Sequence, residues 1–187
     1  MGKEYMMCSE CDDMLSEVYE KYAELKSMFV SLSSCVPDMI WAKDLDGVYT
    51  YANNRVAYQL YRTTTRDMIG NTDVELASNC KEVQGSDGFT FGQMCGDSDK
   101  EVLKAQKSMK FLERGLIDGE ELILMVHKNV ERNIHGDVVG TVGVGRDVTH
   151  DYHQLEKIRD ETTDMSSKNA IITLLSQNYY KNPDEGK

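Results

Sequence analysis

The stretch PDMIWAKDLDGVYTYANN, Pro37 to Asn54, narrows the folds open to this chain more than any other. Ile40 to Leu45 is an apolar-rich run, Asp46-Gly47 supplies a tight turn, and Val48 to Ala52 is aromatic and β-branched, which together predict a hairpin. Asn53 or Asn54 can cap a helix that continues through Val56, Ala57, Leu60 and Tyr61. Far along the chain, GDVVGTVGVGRDVTH (Gly136 to His150) predicts a turn, one long Val/Gly strand and a stop at Arg146 to Thr149 before a polar helix. Glycines inside that strand, at Gly143 and Gly145, allow close packing or a bulge.

Ahead of the hairpin, Leu15, Val18, Tyr22, Leu25, Phe29, Leu32 and Val36 alternate in steps of three and four. This is an a/d heptad pattern, and it favours a narrow helical seam with a partner helix over a broad face lying on its own domain. Homodimerisation through residues 11–36 is therefore expected, with residues 1–10 a disordered tail.

Thr63 to Gly96 is polar and broken by Gly70, Gly85, Gly88, Gly92 and Gly96, which predicts short helical turns and loops. Asp97 to Leu112 has helical spacing at Val102, Leu103, Ala105, Met109 and Leu112, with Asp97 or Ser98 as cap. FLERGLI, the turn Asp118-Gly119 and ELILMVHKNV read as two hairpin strands, and NIHGD turns into a final strand, Asp137 to Val148. A polar helix follows with Leu155, Ile158, Thr162 and Met165 on one side, then AIITLLSQNYY and an unstructured NPDEGK.

Strand, strand, helices, strand, strand, strand, closed by Asp147-x-Thr149, resembles a PAS domain over about residues 35–150. That family is the small sensory module of bacterial signalling proteins. The resemblance implies an α+β fold: one five-stranded antiparallel sheet with helices on one face and a ligand between them. An N-terminal amphipathic, coiled-coil-like helix (11–36) and a C-terminal signalling helix and tail (150–187) flank the sensory domain (37–149). It implies no enzyme. It implies a sensor that binds a small molecule and relays the signal through its flanking helices to an output domain or partner of histidine-kinase (two-component) or diguanylate-cyclase type. No GG[DE]EF loop, kinase Gly-rich box or helix-turn-helix is written in the sequence, so the output is expected in a further segment or a partner.

Strand and helix faces then nominate Ile40, Ala42, Tyr51, Tyr58, Met68, Phe91, Leu103, Met125 and His127 as cavity residues. His127, in the apolar run LILMVHKN, is the polar anchor such a pocket needs. Arg146, Asp147 and Thr149 are the expected relay to the exit helix, with Thr149 as its cap. The ligand is not named by these residues. Haem is not expected, because Asp97 to Leu112 carries no His. Flavin is not expected either: Cys80 in NCKEVQ is similar to the flavin-adduct segment of LOV domains, but there the cysteine follows an Ile/Leu-Gly step within a few residues and here Ile69-Gly70 is ten residues earlier.

Two alternatives remain open. Trp41, Tyr49, Tyr51 and Phe111 could fill the cavity and leave a ligand-free dimerisation module. Cys8 and Cys11 form a lone C-x-x-C, which becomes a four-thiolate zinc or redox switch only if a parallel dimer joins two pairs.

The net charge of −11 argues against nucleic acid as a partner and against anionic membranes. No apolar run spans a bilayer and no signal peptide is visible. Five cysteines without a framework fit reduced thiols in the cytoplasm. His135, His150 and His153 read as surface residues.

Overall fold

Two residues, Asp118 and Gly119, reverse the chain in the left-handed region (φ 54° and 79°), the conformation a two-residue hairpin needs. They join β3 (Met109–Ile117) to β4 (Glu120–Arg132), and β4 turns into β5 (Val138–Asp147). With β1 (Met39–Asp44) and β2 (Tyr49–Ala52) these strands form one antiparallel sheet in the order β2-β1-β5-β4-β3. The expected α+β architecture is thus present. This computed structural model describes residues 9–85, 88–161 and 168–179. The chain divides into two units, Met1–Val36 and Pro37–Lys187.

The first unit is α1, Ser9–Cys35, a single helix. It begins two residues before the expected boundary, and the rest of the expected tail, with Cys8, lies outside the described residues.

In the second unit a π-helical turn, Val56–Leu60, follows β2, then α2 (Thr65–Met68), α3 (Asp73–Gln84) and α4 (Gln93–Ala105). They bury Val56, Leu60, Met68, Leu76, Phe89 and Phe91 against Met39, Trp41, Leu124 and Val126 of the sheet. After β5, α5 (Thr149–Glu161) and α6 (Lys168–Tyr179) cover part of the opposite face, where Ile123 and Met125 pack with Val148, Tyr152, Ile171 and Leu175. Thr162, Met165 and the NPDEGK tail lie outside the described residues.

The helix expected over Asp97 to Leu112 is corrected. It spans Gln93–Ala105 and stops where Gln106 turns left-handed (φ 52°), its N–H bonding the Val102 carbonyl at 2.8 Å. Met109 and Leu112 belong to β3, on opposite faces of the strand. Their three-residue spacing fits a helix and a strand alike.

Candidate ligand site

Directly paired residues of neighbouring strands share a face, so the sheet register sorts every side chain. Trp41 pairs Gly143 and Gly143 pairs Lys128; Lys43 pairs Thr141; Met39 pairs Gly145, which pairs Val126; Leu124 pairs Glu113. All of these point toward α3 and α4, and three of them are ionisable. Above them, a capping box between Thr72 and Glu75 fixes the start of α3. Asp73, Leu76, Ala77 and Cys80 then fall on one helical face, and Cys95, Ser98, Asp99 and Val102 repeat that spacing on α4.

The result is a buried ionic cluster. Lys43 Nζ lies 2.5 Å from Asp73 Oδ2 and 2.6 Å from Asp99 Oδ2. Lys128 Nζ lies 2.8 Å from Asp99 Oδ1 and 3.4 Å from Glu113 Oε1, and donates to Ser98 Oγ at 2.7 Å. Asp99 therefore bridges both ammonium groups. Tyr49 and Tyr61 each donate a hydroxyl to Asp73 Oδ1 at 2.7 Å, and Ser98 donates to Glu113 Oε1 at 2.7 Å. Lys43 and Lys128 are each 1% exposed. Burial works against the Lys43 ammonium, but the carboxylates of Asp73 and Asp99 outweigh it and lift its pKa above the ordinary lysine value. Burial, then Asp73, pushes the Tyr49 and Tyr61 phenols well up. The Cys95 thiol is likewise held protonated, by burial first and then by Glu113 and Asp73.

Trp41 roofs this cluster. Its indole lies over Gly143 and Gly145, and a Cβ on Gly143 would come within 2.4 Å of the ring. Lys128 Nζ sits 5.7 Å from the ring centroid. Trp41 Nε1 is buried and has no hydrogen-bond acceptor among the described residues. A void of about 10 Å³ is lined by Trp41, Lys43, Tyr49, Cys95, Glu113 and apolar neighbours, room for about one water. Outside, a cleft of about 220 Å³ opens between the β1–β2 turn (Asp44–Gly47), the start of α3 and Gly96, Lys100 and Leu103 of α4. Asp73 and Asp99 line that cleft and also hold the buried lysines.

The residues nominated from sequence divide between the two faces. Met68 and Phe91 are in the inner core, and Leu103 lines the cleft. Tyr51 is half-buried in β2 and Tyr58 is 68% exposed. Ile40, Ala42, Met125 and His127 lie on the opposite face, which corrects their placement in the cavity: Met125 packs under α5 and α6, and His127 hydrogen-bonds Ser108. An error of one residue in strand phase moves a whole set to the other side. The sequence reading missed Lys43, Asp73, Asp99, Glu113 and Lys128. The signal was there in part, since Lys43 keeps phase with Met39 and Trp41, and Lys128 with Leu124 and Val126.

At the exit, Asp147 Oδ1 accepts from the Thr149 amide at 2.9 Å and from its hydroxyl at 2.6 Å, while Thr149 Oγ1 accepts from the Ile123 amide at 2.9 Å. Arg146 Nε and Nη2 donate to the two oxygens of Asp38, each at 2.7 Å. No helix among the described residues is long and apolar enough to cross a membrane. No three or more His, Cys, Asp or Glu among the described residues form a metal-binding group; Cys11 is exposed and Cys8 lies outside them.

A family model for the PAS fold matches residues 34–153, well over half of the chain. No curated protein gives a significant match. Among solved structures, the VqmA dimer of Vibrio cholerae, described as a LuxR-type receptor studied in the absence of its target DNA, is 26% identical. Its match has a TM-score of 0.50 and covers 66% of this chain and 53% of that one. A structure of VqmA bound to DPO is also 26% identical, with a TM-score of 0.50 over 66% and 58% of the two chains. The PAS domain of Bordetella pertussis BvgS is 14% identical, with a TM-score of 0.50 over 76% and 98%, a likeness of fold alone. This chain spans somewhat over half the length of the VqmA structures. The exclusion of nucleic acid drawn from net charge is corrected by this likeness to a DNA-binding receptor. A summed charge describes the average field of a chain and does not report on a separate DNA-reading segment.

Proposed function

Because the chain belongs to the PAS-fold family, we propose that it is the sensory domain of a bacterial, cytoplasmic signal-transduction protein that binds a small molecule between its sheet and helices. The role is sensory and not catalytic. The observation that carries this reading is the buried ionic cluster with the unpartnered Trp41 Nε1 above it. Withdrawing each charge from water costs several kcal/mol, and an apolar core would be as stable, so stability alone does not call for this arrangement. A few convergent polar groups in an apolar wall are what orient a small ligand. The cleft at Asp73 and Asp99 is the route in, and a ligand accepting from Trp41 Nε1 would reorganise the contacts of both lysines.

The change would pass along β5 to Arg146, Asp147 and Thr149 and so to α5, while α1 joins two copies. A tenfold bias between two states requires the ligand to favour one of them by about 1.4 kcal/mol. The likeness to DPO-bound VqmA supports a small-molecule ligand, and the likeness to a LuxR-type receptor supports a DNA-binding output over a kinase or cyclase.

Trp41 is the sole tryptophan, so its emission reports on the site directly. DPO is titrated into the full chain, beside native mass spectrometry of the protein as purified. A saturable change in emission, or a co-purified mass that shifts it on removal, supports the sensor. The void of about 10 Å³ favours a second reading, a filled-core module that only joins partners. Unchanged emission with no added mass selects that module.

A further inference from the structure

Leu15, Val18, Tyr22, Leu25, Phe29 and Leu32 of α1 are each at least 47% exposed. Their alternating steps of three and four keep them on one stripe of a left-handed coiled coil. The helix is 27 residues long, about 40 Å. Resting on the self-association proposed above, we infer that α1 pairs antiparallel with α1 of a second copy. Leu15 then layers on the partner's Leu32, Val18 on the partner's Phe29, and Tyr22 on the partner's Leu25.

Charge sets the direction. Glu10, Asp12, Asp13, Glu17 and Glu20 all fall in the first half of the helix with Lys21 at its end, whereas in the second half Lys26 balances Glu24. Parallel pairing lays acidic half on acidic half. It also sets Lys21 opposite the partner's Lys26, because those residues occupy the two flanking positions that face each other between parallel helices. Antiparallel pairing lays the acidic half along the half that carries no net charge. Lys21 then flanks the partner's Met28 and Lys26 flanks the ring of the partner's Tyr19, a cation–π contact. The two helix dipoles also oppose one another.

Two exposed cysteines make the direction measurable. Cys11 and Cys35 stand on the order of 36 Å apart on one helix, too far to join within a chain. In the antiparallel pair, Cys11 lies beside the partner's Cys35. In a parallel pair it faces the partner's Cys11, the geometry a four-thiolate site would need.

The test is mild oxidation of the full chain carrying Cys8→Ser, followed by tryptic peptide mapping and sedimentation; Cys80 and Cys95 are buried and stay unreactive. A dimer linked Cys11 to Cys35 is the expected result. A Cys11–Cys11 link, or a dimer that forms neither link, overturns the antiparallel arrangement and leaves self-association standing. A monomer at tens of micromolar overturns both. A second variant needs no cross-link: Lys26→Glu weakens an antiparallel dimer severalfold, but tightens a parallel one by giving Lys21 an opposite charge.

Discussion

Arg146 and Asp38 are joined by two hydrogen bonds of 2.7 Å each, from Nε and Nη2 of the guanidinium to the two carboxylate oxygens. Asp38 immediately precedes β1 and Arg146 is the penultimate residue of β5, so this pair ties the start of the sheet to its exit. Its forked geometry gives it more than the usual worth of a surface pair. Asp38→Ala and Arg146→Ala should each lower stability by about 1 kcal/mol, with a coupling of about 0.5–1 kcal/mol in the double-mutant cycle. Denaturant unfolding of the four proteins measures it. Additive losses would remove the pair from the relay.

The buried cluster predicts how stability responds to alkali. Lys43, Tyr49 and Tyr61 all have pKa values raised in the folded protein. Below about pH 10, the ordinary range of both groups, their contribution is fully present. Above it the unfolded chain releases protons that the folded one keeps, so stability falls as pH rises. Thermal unfolding between pH 7 and 11 should show this decline, shallower in Tyr49→Phe and Tyr61→Phe. Asp73→Ala, which strips Lys43 of a carboxylate, should cost about 3–5 kcal/mol at neutral pH. A flat alkaline profile would contradict the burial of these groups.

His127 and Lys128 are neighbours in sequence on opposite faces of β4. Lys128→Met should alter Trp41 emission, while His127→Ala should leave it as it is. Comparing the two emission spectra with that of the unsubstituted chain decides the point. An equal change in the histidine variant would return His127 to the site.

Gly143 makes room for the Trp41 indole. Gly143→Ala places a methyl 2.4 Å from the ring, and relieving that overlap should cost about 1–3 kcal/mol and shift the emission of the sole tryptophan. Wild-type stability together with unchanged emission would mean that the ring does not rest there.

How much of this was legible beforehand varies by element. Asp118-Gly119 announced its hairpin, because only a few residue pairs accept positive φ at both positions. Asp147 and Thr149 announced the strand end and helix start through side-chain bonds to nearby backbone, which are local in sequence. The α4 boundary was misread because Met109 and Leu112 satisfy two periods at once, and the left-handed turn at Gln106 carries no glycine to mark it.

The sequence by itself determined the order of elements, the hairpin turns and the apolar seam of α1, since each follows from spacing within a few residues. Only the tertiary structure decided which face of each strand looks inward. That choice puts Met125 and His127 on the opposite face, Met125 under α5 and α6, and buries Lys43 and Lys128 beneath α3 and α4. Asp73 and Asp99 come from two different helices to meet those lysines, and no local pattern encodes pairings so far apart in the chain. Sheet register and helix placement bring them within 3 Å of one another, and the buried charges are held there by their mutual attraction.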